Sequence, residues 1–250
     1  MGLSSNSIVH FTNSKEALKG ILSENFKLKY CREEIPLNNK SLVIHVPMVS
    51  FCDIPFSQVH KHIDSYGCYG IGLTREWAIR NRLNPVIYIQ NGSILAQSYL
   101  EAVSYFHSER QEEITKDRAL AEDQLWEVFR YAKPYEGPLL LKTGKKIDSY
   151  RFSDEREWRY VPPISAGCKQ FFFPENFHDS DERYNSEIHL ARLNLKFDPN
   201  DVKYIVIKND DEIHELIRHL DDVKGEKYSK RDVELLTTRI ITAEQIRTDF

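Results

Sequence analysis

Glu157 has the residue type and the neighbours that glycosyl-transfer chemistry requires. It lies in the segment 154–163, where a strand would place Glu155, Glu157 and Arg159 on one face and aromatic rings on the other. A carboxylate held on a rigid strand beside arginine and aromatic residues can stabilise the positive charge of an oxocarbenium-like transition state. The same pattern also occurs in solvent-facing ladders of cross-strand ion pairs, so alternation leaves both interpretations open.

His10 and Thr12 form a second polar pair, in a β-branched and aromatic segment that predicts a first strand at 8–12. Alternation places Val9 and Phe11 on one face of that strand and the polar pair on the other. Side chains of these two types can donate and accept hydrogen bonds to a bound ligand. A histidine whose hydrogen bonds are satisfied within the protein is the alternative, and the segment alone does not exclude it.

Tyr66, Tyr69 and Arg75 surround a glycine-rich stretch at 66–73. A tyrosine ring flanked by glycines can stack on a heteroaromatic ligand, because the backbone can approach it closely. An arginine can hold a pyrophosphate with two parallel hydrogen bonds. The glycine spacing fits neither the dinucleotide-binding pattern nor a Walker loop, so it does not predict phosphate binding by the backbone. A bend of the sheet with aromatic packing is the alternative.

No set of residues has the spacing of a metal site, and we expect no bound metal. His60 and His62 are two positions apart in a segment that we predict to be helical, and side chains at i and i+2 of a helix do not face each other. The cysteines form no Cys-x-x-Cys pair and adjoin no histidine at zinc spacing, so we expect reduced thiols of a cytosolic protein. They are Cys31, Cys52, Cys68 and Cys168.

The composition is that of an ordinary globular protein. The 250 residues include 34 Lys and Arg against 38 Asp and Glu, a formal net charge of −4, and 41% of the residues are hydrophobic. This excludes a wholly disordered, collagen-like or rod-shaped chain. A mildly acidic chain is unsuited to coating nucleic acid or an anionic membrane, although the net charge does not exclude a local basic groove. No apolar run is long enough to span a membrane, and a cytoplasmic location is expected.

The elements that must position these residues alternate along the chain. Asn13 and Glu16 have the spacing of a capping box, which predicts a helix after the first strand, and Thr74 is predicted to cap another. Further strands are predicted at 42–50, 86–89, 138–142, 158–161, 171–173, 188–195 and 204–207, a helix at 211–220, and a last strand or exposed extension at 235–241. The stretch 93–133 is helical and lies between strands. We therefore predict one mixed α+β domain over 1–250, with a helical insertion at about 93–133.

Taken together, several segments resemble the AbiGi-type abortive phage resistance family. The resemblance spans about residues 8–163. Abortive infection is the shutdown of a phage-infected bacterium, and the resemblance implies that this component is an antitoxin accompanying a nucleotidyltransferase-like toxin. The segments that carry it are His10–Thr12, Val49–Pro55, Tyr66–Ala78, Asn84–Tyr88 and Asp154–Pro162.

The order of these parts is also similar to that of DNA-modifying ADP-ribosyltransferases of the DarT type. This resemblance implies an ADP-ribosyltransferase-like split sheet, with NAD as a substrate and Glu157 as the catalytic carboxylate. It further implies that His10 contacts the ribose of NAD, that Arg75 contacts a phosphate or the substrate, and that Tyr66 or Tyr69 stacks on nicotinamide. Around Arg75 the sequence Gly-Leu-Thr-Arg-Glu-Trp replaces the aromatic-Asn-Pro-Arg of that family.

Two functions of different classes follow. The first is an NAD-dependent transfer of ADP-ribose to a nucleic acid or a protein, with Thr12 joining His10 in the binding of NAD. The second is a non-catalytic antitoxin that neutralises a partner toxin by direct contact, which the acidic balance and the polar stretch 109–117 would suit. A metal-dependent nuclease is a third alternative, which the lack of a convincing ligand set disfavours.

Overall fold

A largely antiparallel sheet forms the centre of the computed structural model, which describes residues 5–38, 40–108, 115–141, 144, 146–178 and 180–249. Its main path runs β14-β13-β5-β1-β4-β11-β6, with β3 also paired to β4, and the β13–β14 pair is parallel. The strands of this sheet are β1 Ser7–Thr12, β3 Lys29–Leu37, β4 Lys40–Cys52, β5 Tyr69–Thr74, β6 Asn84–Pro85, β11 Glu157–Tyr160, β13 Val202–Ile207 and β14 Ile240–Thr242.

The remaining strands form three separate pairs, and helices cover both faces of the main sheet. The pairs are β2 Phe26–Lys27 with β12 Asn194–Leu195, β7 Ile87–Ile89 with β8 Ala132–Pro134, and β9 Gly137–Leu140 with β10 Lys146–Tyr150. The helices are α1 Lys15–Glu24, α2 His60–Tyr66, α3 Arg75–Arg80, α4 Ile94–Ser108, α5 Lys116–Arg130, α6 Pro174–Phe177, α7 Ser180–Leu190, α8 Ile213–Lys224, α9 Lys230–Thr237 and α10 Ala243–Asp249. The mixed α+β class predicted from the sequence is therefore confirmed.

The two faces of the sheet bury different hydrophobic clusters. On the face that we call the α1 face, Ile8, Ile71 and Phe51 pack against Leu22 of α1 and Trp77 of α3. The helices α8 and α9 complete this layer with their own apolar stripes. Burial of large apolar side chains on the α1 face supplies much of the driving force for this half of the fold.

On the opposite face, which we call the α2 face, Val9, Cys52 and Val206 pack against residues of α2 and α10, including Ile63 and Ile246. A third cluster lies where the long hairpin of β3 and β4 extends beyond β1. It buries the apolar sides of α4 and α5 against that hairpin. Its members include Ile35, Val46, Ala96, Trp126 and Phe129.

The local signals at helix starts are partly confirmed. Thr74 caps α3, since its side-chain oxygen accepts a hydrogen bond from the backbone N–H of Trp77. The predicted capping box of Asn13 is wrong by one residue, because Ser14 caps α1 and accepts from the backbone N–H of Ala17. At the end of α2, Gly67 has a φ of 118°, and a Cβ there would lie 2.4 Å from the carbonyl oxygen of Thr12. Only glycine fits this close approach without strain.

The predictions for the second half of the chain contain most of the errors. The predicted strand at 188–195 is wrong, because α7 continues to Leu190 and only Asn194–Leu195 pair as β12. At 171–173, Phe172 alone makes a bridge, to His45, while its two neighbours pack on Trp126. The helix at 211–220 is found as α8. The tail predicted as a last strand or exposed extension at 235–241 begins in helix α9, which ends at Thr237, and ends in β14, which begins at Ile240.

The stretch predicted as a helical insertion contains α4 and α5, which lie between β7 and β8. Most of the polar stretch predicted at 109–117 lies outside the described residues. Within the described ranges, no helix combines the length and the apolar character that crossing a membrane would need.

Candidate functional site

Glu157 lies on the α2 face and is bound through both of its carboxylate oxygens. Arg159 Nε donates to Oε1 at 2.8 Å, and Lys133 Nζ donates to Oε2 at 2.5 Å. The side chain is only 5% exposed. The backbone N–H of Glu157 donates to the hydroxyl of Tyr88 at 2.9 Å, which fixes the start of β11. Both oxygens are therefore engaged in ion pairs within the protein.

The same two cations connect Glu157 to two further carboxylates. Lys133 Nζ donates to Glu155 Oε2 at 2.7 Å, and Arg159 Nη2 donates to Glu33 Oε1 at 2.9 Å. We call this set of five side chains, Glu33, Lys133, Glu155, Glu157 and Arg159, the Lys133 network. It holds three carboxylates and two cations, all in the interior or at its edge.

Elements from distant parts of the chain build the Lys133 network. Glu157 and Arg159 share a face of β11, as strand alternation predicts. Glu155 precedes the strand in a 3₁₀ turn that ends at Arg156 with a φ of 49°. Lys133 comes from β8, and Glu33 from β3 on the far side of β4. The α2 helix contributes Tyr66, whose hydroxyl donates to Glu155 Oε1.

The charges in the Lys133 network shift the proton affinities of its members. Burial alone would raise the pKa of Glu157, but Arg159 and Lys133 together lower it. Burial would lower the pKa of Lys133, but Glu157 and Glu155 raise it well above its ordinary value. At Glu33 burial prevails over the attraction of Arg159, and the pKa is raised. Glu157 is thus held ionised, whereas burial favours the protonated form of Glu33.

A cavity of about 680 Å³ borders the Lys133 network. Glu33, Lys133 and Tyr66 line its inner end, and Pro134, Leu139 and Phe152 give it apolar walls. The ammonium group of Lys133 lies 5.2 Å from the centre of the Phe152 ring. A volume of this size is within the range of pockets that bind small organic molecules.

His10 lies on the α1 face, away from the Lys133 network. Its Nδ1 is 2.8 Å from the carbonyl oxygen of Ser50, and its ring makes edge contacts with Phe26 and Phe51. Together with Thr12 it lines a groove of about 470 Å³ between α1 and the sheet. The structure therefore brings these two residues together, as alternation along β1 predicts.

The structure does not bring His10 and Glu157 into one cleft. Val9 of β1 and Glu157 of β11 are both paired with Cys52 of β4, so these three residues share the α2 face. His10, one position after Val9, therefore lies on the opposite face. The two strands are also separated by β4. A shared NAD site built from His10 and Glu157, as the ADP-ribosyltransferase resemblance implied, is incompatible with this register.

The other predicted ligand contacts lie at separate places. Tyr69 lies on the α1 face and donates to Glu212 Oε1 at 2.9 Å. The guanidinium of Arg75 is paired with Asp53 and lies 5.2 Å from the ring centre of Trp158. Tyr66 donates a hydrogen bond to Glu155 of the Lys133 network, so of the predicted contacts it alone lies near Glu157. The carboxylate of Asp53 occupies one amino group of Arg75.

Lys133 and Glu33 are the site residues that sequence reasoning missed. Lys133 is the last residue of the predicted helical stretch and has no motif around it, and Glu33 lies in a strand whose exposed positions are rich in charge. Alternation in β11 signalled the pair of Glu157 and Arg159. No local signal shows that β8 passes close enough to supply the lysine.

Comparisons with known proteins agree with one another. Residues 24–208 match the family model described as "Putative abortive phage resistance protein AbiGi, antitoxin". A protein of Lactococcus lactis subsp. cremoris named "Abortive phage resistance protein AbiGi" is 28% identical over 240 residues, which cover 89% of this chain and 94% of the relative. No solved structure matches the chain significantly.

Proposed function

Because this chain belongs to the AbiGi family of abortive phage resistance proteins, we propose that it is the antitoxin of an abortive infection system and restrains a partner toxin by binding it. The observation that supports binding over group transfer is the state of Glu157. Both of its oxygens are held by buried cations, and His10 lies across the sheet from it. The predicted catalytic set is therefore not assembled.

The outward surface of α4 and α5 is the contact region that we propose for the toxin. Ile94 is 87% exposed and Leu120 is 56% exposed, although the inward sides of the same helices are well packed. Leu95 and Tyr105 are also exposed large side chains of α4. Exposed large apolar side chains on neighbouring segments of the chain are typical of protein contact surfaces.

Introducing negative charge into this apolar surface should abolish neutralisation of the toxin. We expect Ile94→Asp combined with Leu120→Asp to weaken toxin binding by roughly 30-fold or more, the effect of losing a central contact residue. The measurement is growth of bacteria that express the product of the adjacent gene as toxin, together with co-purification of the two chains. Exposed positions tolerate such changes, so the variant should remain folded.

Ile79→Asp is the matched control, because Ile79 is 63% exposed on α3, outside the helical insertion. This control should leave rescue and co-purification intact. Equal loss of rescue and co-purification in the two variants would show that the effect is not specific to α4 and α5. Rescue by wild type without any complex would contradict direct binding.

We also propose NAD as a ligand of the groove that holds His10 and Thr12, because these two polar side chains line one concave surface. Calorimetric titration with NAD should then give saturable binding that His10→Ala abolishes. Absence of heat at millimolar NAD would eliminate this second proposal and leave the antitoxin proposal unaffected. Glu157 takes no part in this test.

A further inference from the structure

The cavity beside the Lys133 network is a site that the antitoxin function does not use. We propose that it binds a small organic cation, a primary ammonium or guanidinium group on an apolar stem, with the cationic group on Glu33. The argument rests on the charge at the inner end, on the free oxygen of Glu33, and on the apolar walls.

The Lys133 network, of which Glu33 and Lys133 line the cavity, has one more negative than positive group. Three carboxylates meet two cations in the Lys133 network, and both cations are already engaged by carboxylates. Two cations near the cavity mouth are also paired: Arg32 with Glu34 at 2.7 Å, and Lys146 with Asp148 at 3.2 Å. A buried surplus of negative charge is costly until a counter-charge reaches it.

Glu33 is the group through which a ligand can supply that counter-charge. Arg159 binds its Oε1, whereas among the described residues no hydrogen-bond donor reaches its Oε2. The side chain is 13% exposed and lines the cavity. An ammonium or guanidinium group at Oε2 would make a charge-assisted hydrogen bond and balance the network.

The walls and the size of the cavity fit the rest of such a molecule. Pro134, Leu139 and Phe152 present apolar surface between the mouth and Glu33. The volume of about 680 Å³ accommodates a linear polyamine, whose methylene groups would lie against these walls. A pyrophosphate or another anion would instead face the carboxylate of Glu33, while the lining cations Arg32, Lys133 and Lys146 are paired with carboxylates of the described residues, so the site favours a cation over a nucleotide.

Calorimetry with spermidine and with NAD tests the proposal. We expect saturable binding of spermidine to the wild-type chain, and a dissociation constant raised about tenfold or more by Glu33→Gln, the usual effect of losing a charged hydrogen bond. Leu139→Lys should weaken binding similarly, because it places a positive charge in the wall. The heat of NAD binding should be the same in wild type and Glu33→Gln.

Glu234→Gln is the control for a change of net charge, since Glu234 is exposed on α9 and paired with Lys230. It should leave spermidine binding unchanged. No binding to wild type overturns the proposal, and so does equal weakening by Glu33→Gln and Glu234→Gln. Thermal unfolding of each variant confirms that it is folded. If Glu33→Gln does not fold, Leu139→Lys still tests the site, because it leaves every residue of the Lys133 network unchanged.

Discussion

Glu157→Gln is expected to lower the free energy of unfolding by about 2–3 kcal/mol at pH 7, because it weakens charge-assisted hydrogen bonds to two buried cations that each keep one other carboxylate. The substitution keeps the size of the side chain but removes the charge that both Lys133 and Arg159 contact. Two buried cations would then share the remaining carboxylates. Urea denaturation followed by circular dichroism measures the loss.

The pH dependence gives a second check on the same substitution. The folded protein holds the pKa of Glu157 at about 2, below its ordinary value of 4.5. A lowered pKa contributes stability above the unfolded value, and that stability is lost as pH falls through the folded value. The difference in the free energy of unfolding between wild type and Glu157→Gln should therefore be largest at pH 7. It should shrink as pH falls from 4.5 towards 2.

Glu33→Gln is the matched control, because Glu33 is also a glutamate bound to Arg159. Its pKa is raised by burial, so the folded state favours its protonated form and the charge costs stability at neutral pH. Removal of that charge leaves two carboxylates for two cations. Stability should stay unchanged or rise. If instead Glu157→Gln were as stable as wild type and lost only a transfer activity, Glu157 would be a catalytic residue.

Local pattern predicted which residues share a strand face, but could not relate one strand to another. Alternation correctly paired His10 with Thr12, and Glu157 with Arg159. Whether His10 and Glu157 share a face depends on the hydrogen-bond register of β4 with both neighbours, and a shift of one residue would reverse the answer. That register is set by packing far from either residue.

The errors in secondary structure have a similar cause. Phe171–Phe173 has high strand propensity, yet the rings of Phe171 and Phe173 pack on Trp126 of α5. Only the backbone of Phe172 pairs with β4. Tertiary contacts with an aromatic cluster outweigh a propensity of about 1 kcal/mol. Ile188–Leu195 has alternating apolar residues, but its first turn continues α7. Packing partners distant in sequence decide both cases.

Lys133→Met should lower the free energy of unfolding by about 3–5 kcal/mol at pH 7. It leaves Glu155 and Glu157 buried without the cation that lies between them. Lys133 is one of the two cations that lower the pKa of Glu157, so its loss would raise that pKa, and the loss of stability should be smaller at pH 5 than at pH 7. Urea denaturation at the two pH values measures this, and addition of Glu155→Gln to Lys133→Met should restore part of the stability.

Lys224→Met separates the effect of ion pairing from that of burial. Lys224 is only 5% exposed, but its ammonium lies over the rings of Phe197 and Tyr228, and no salt bridge to it is found among the described residues. Burial lowers its pKa, whereas the pKa of Lys133 is raised. The charge of Lys224 therefore costs stability at neutral pH, and methionine should be neutral or stabilising there.

The comparison of the two lysines decides what the Lys133 network does. Equal losses at both positions would mean that each lysine stabilises the fold through its apolar stem, and the ion pairs of Lys133 would then contribute little. A large loss at Lys133 alone would mean that the network holds β8 against β11 and joins the helical insertion to the central sheet. The surface of α4 and α5 that we propose for the toxin would then depend on the Lys133 network, although no residue of that surface belongs to the network.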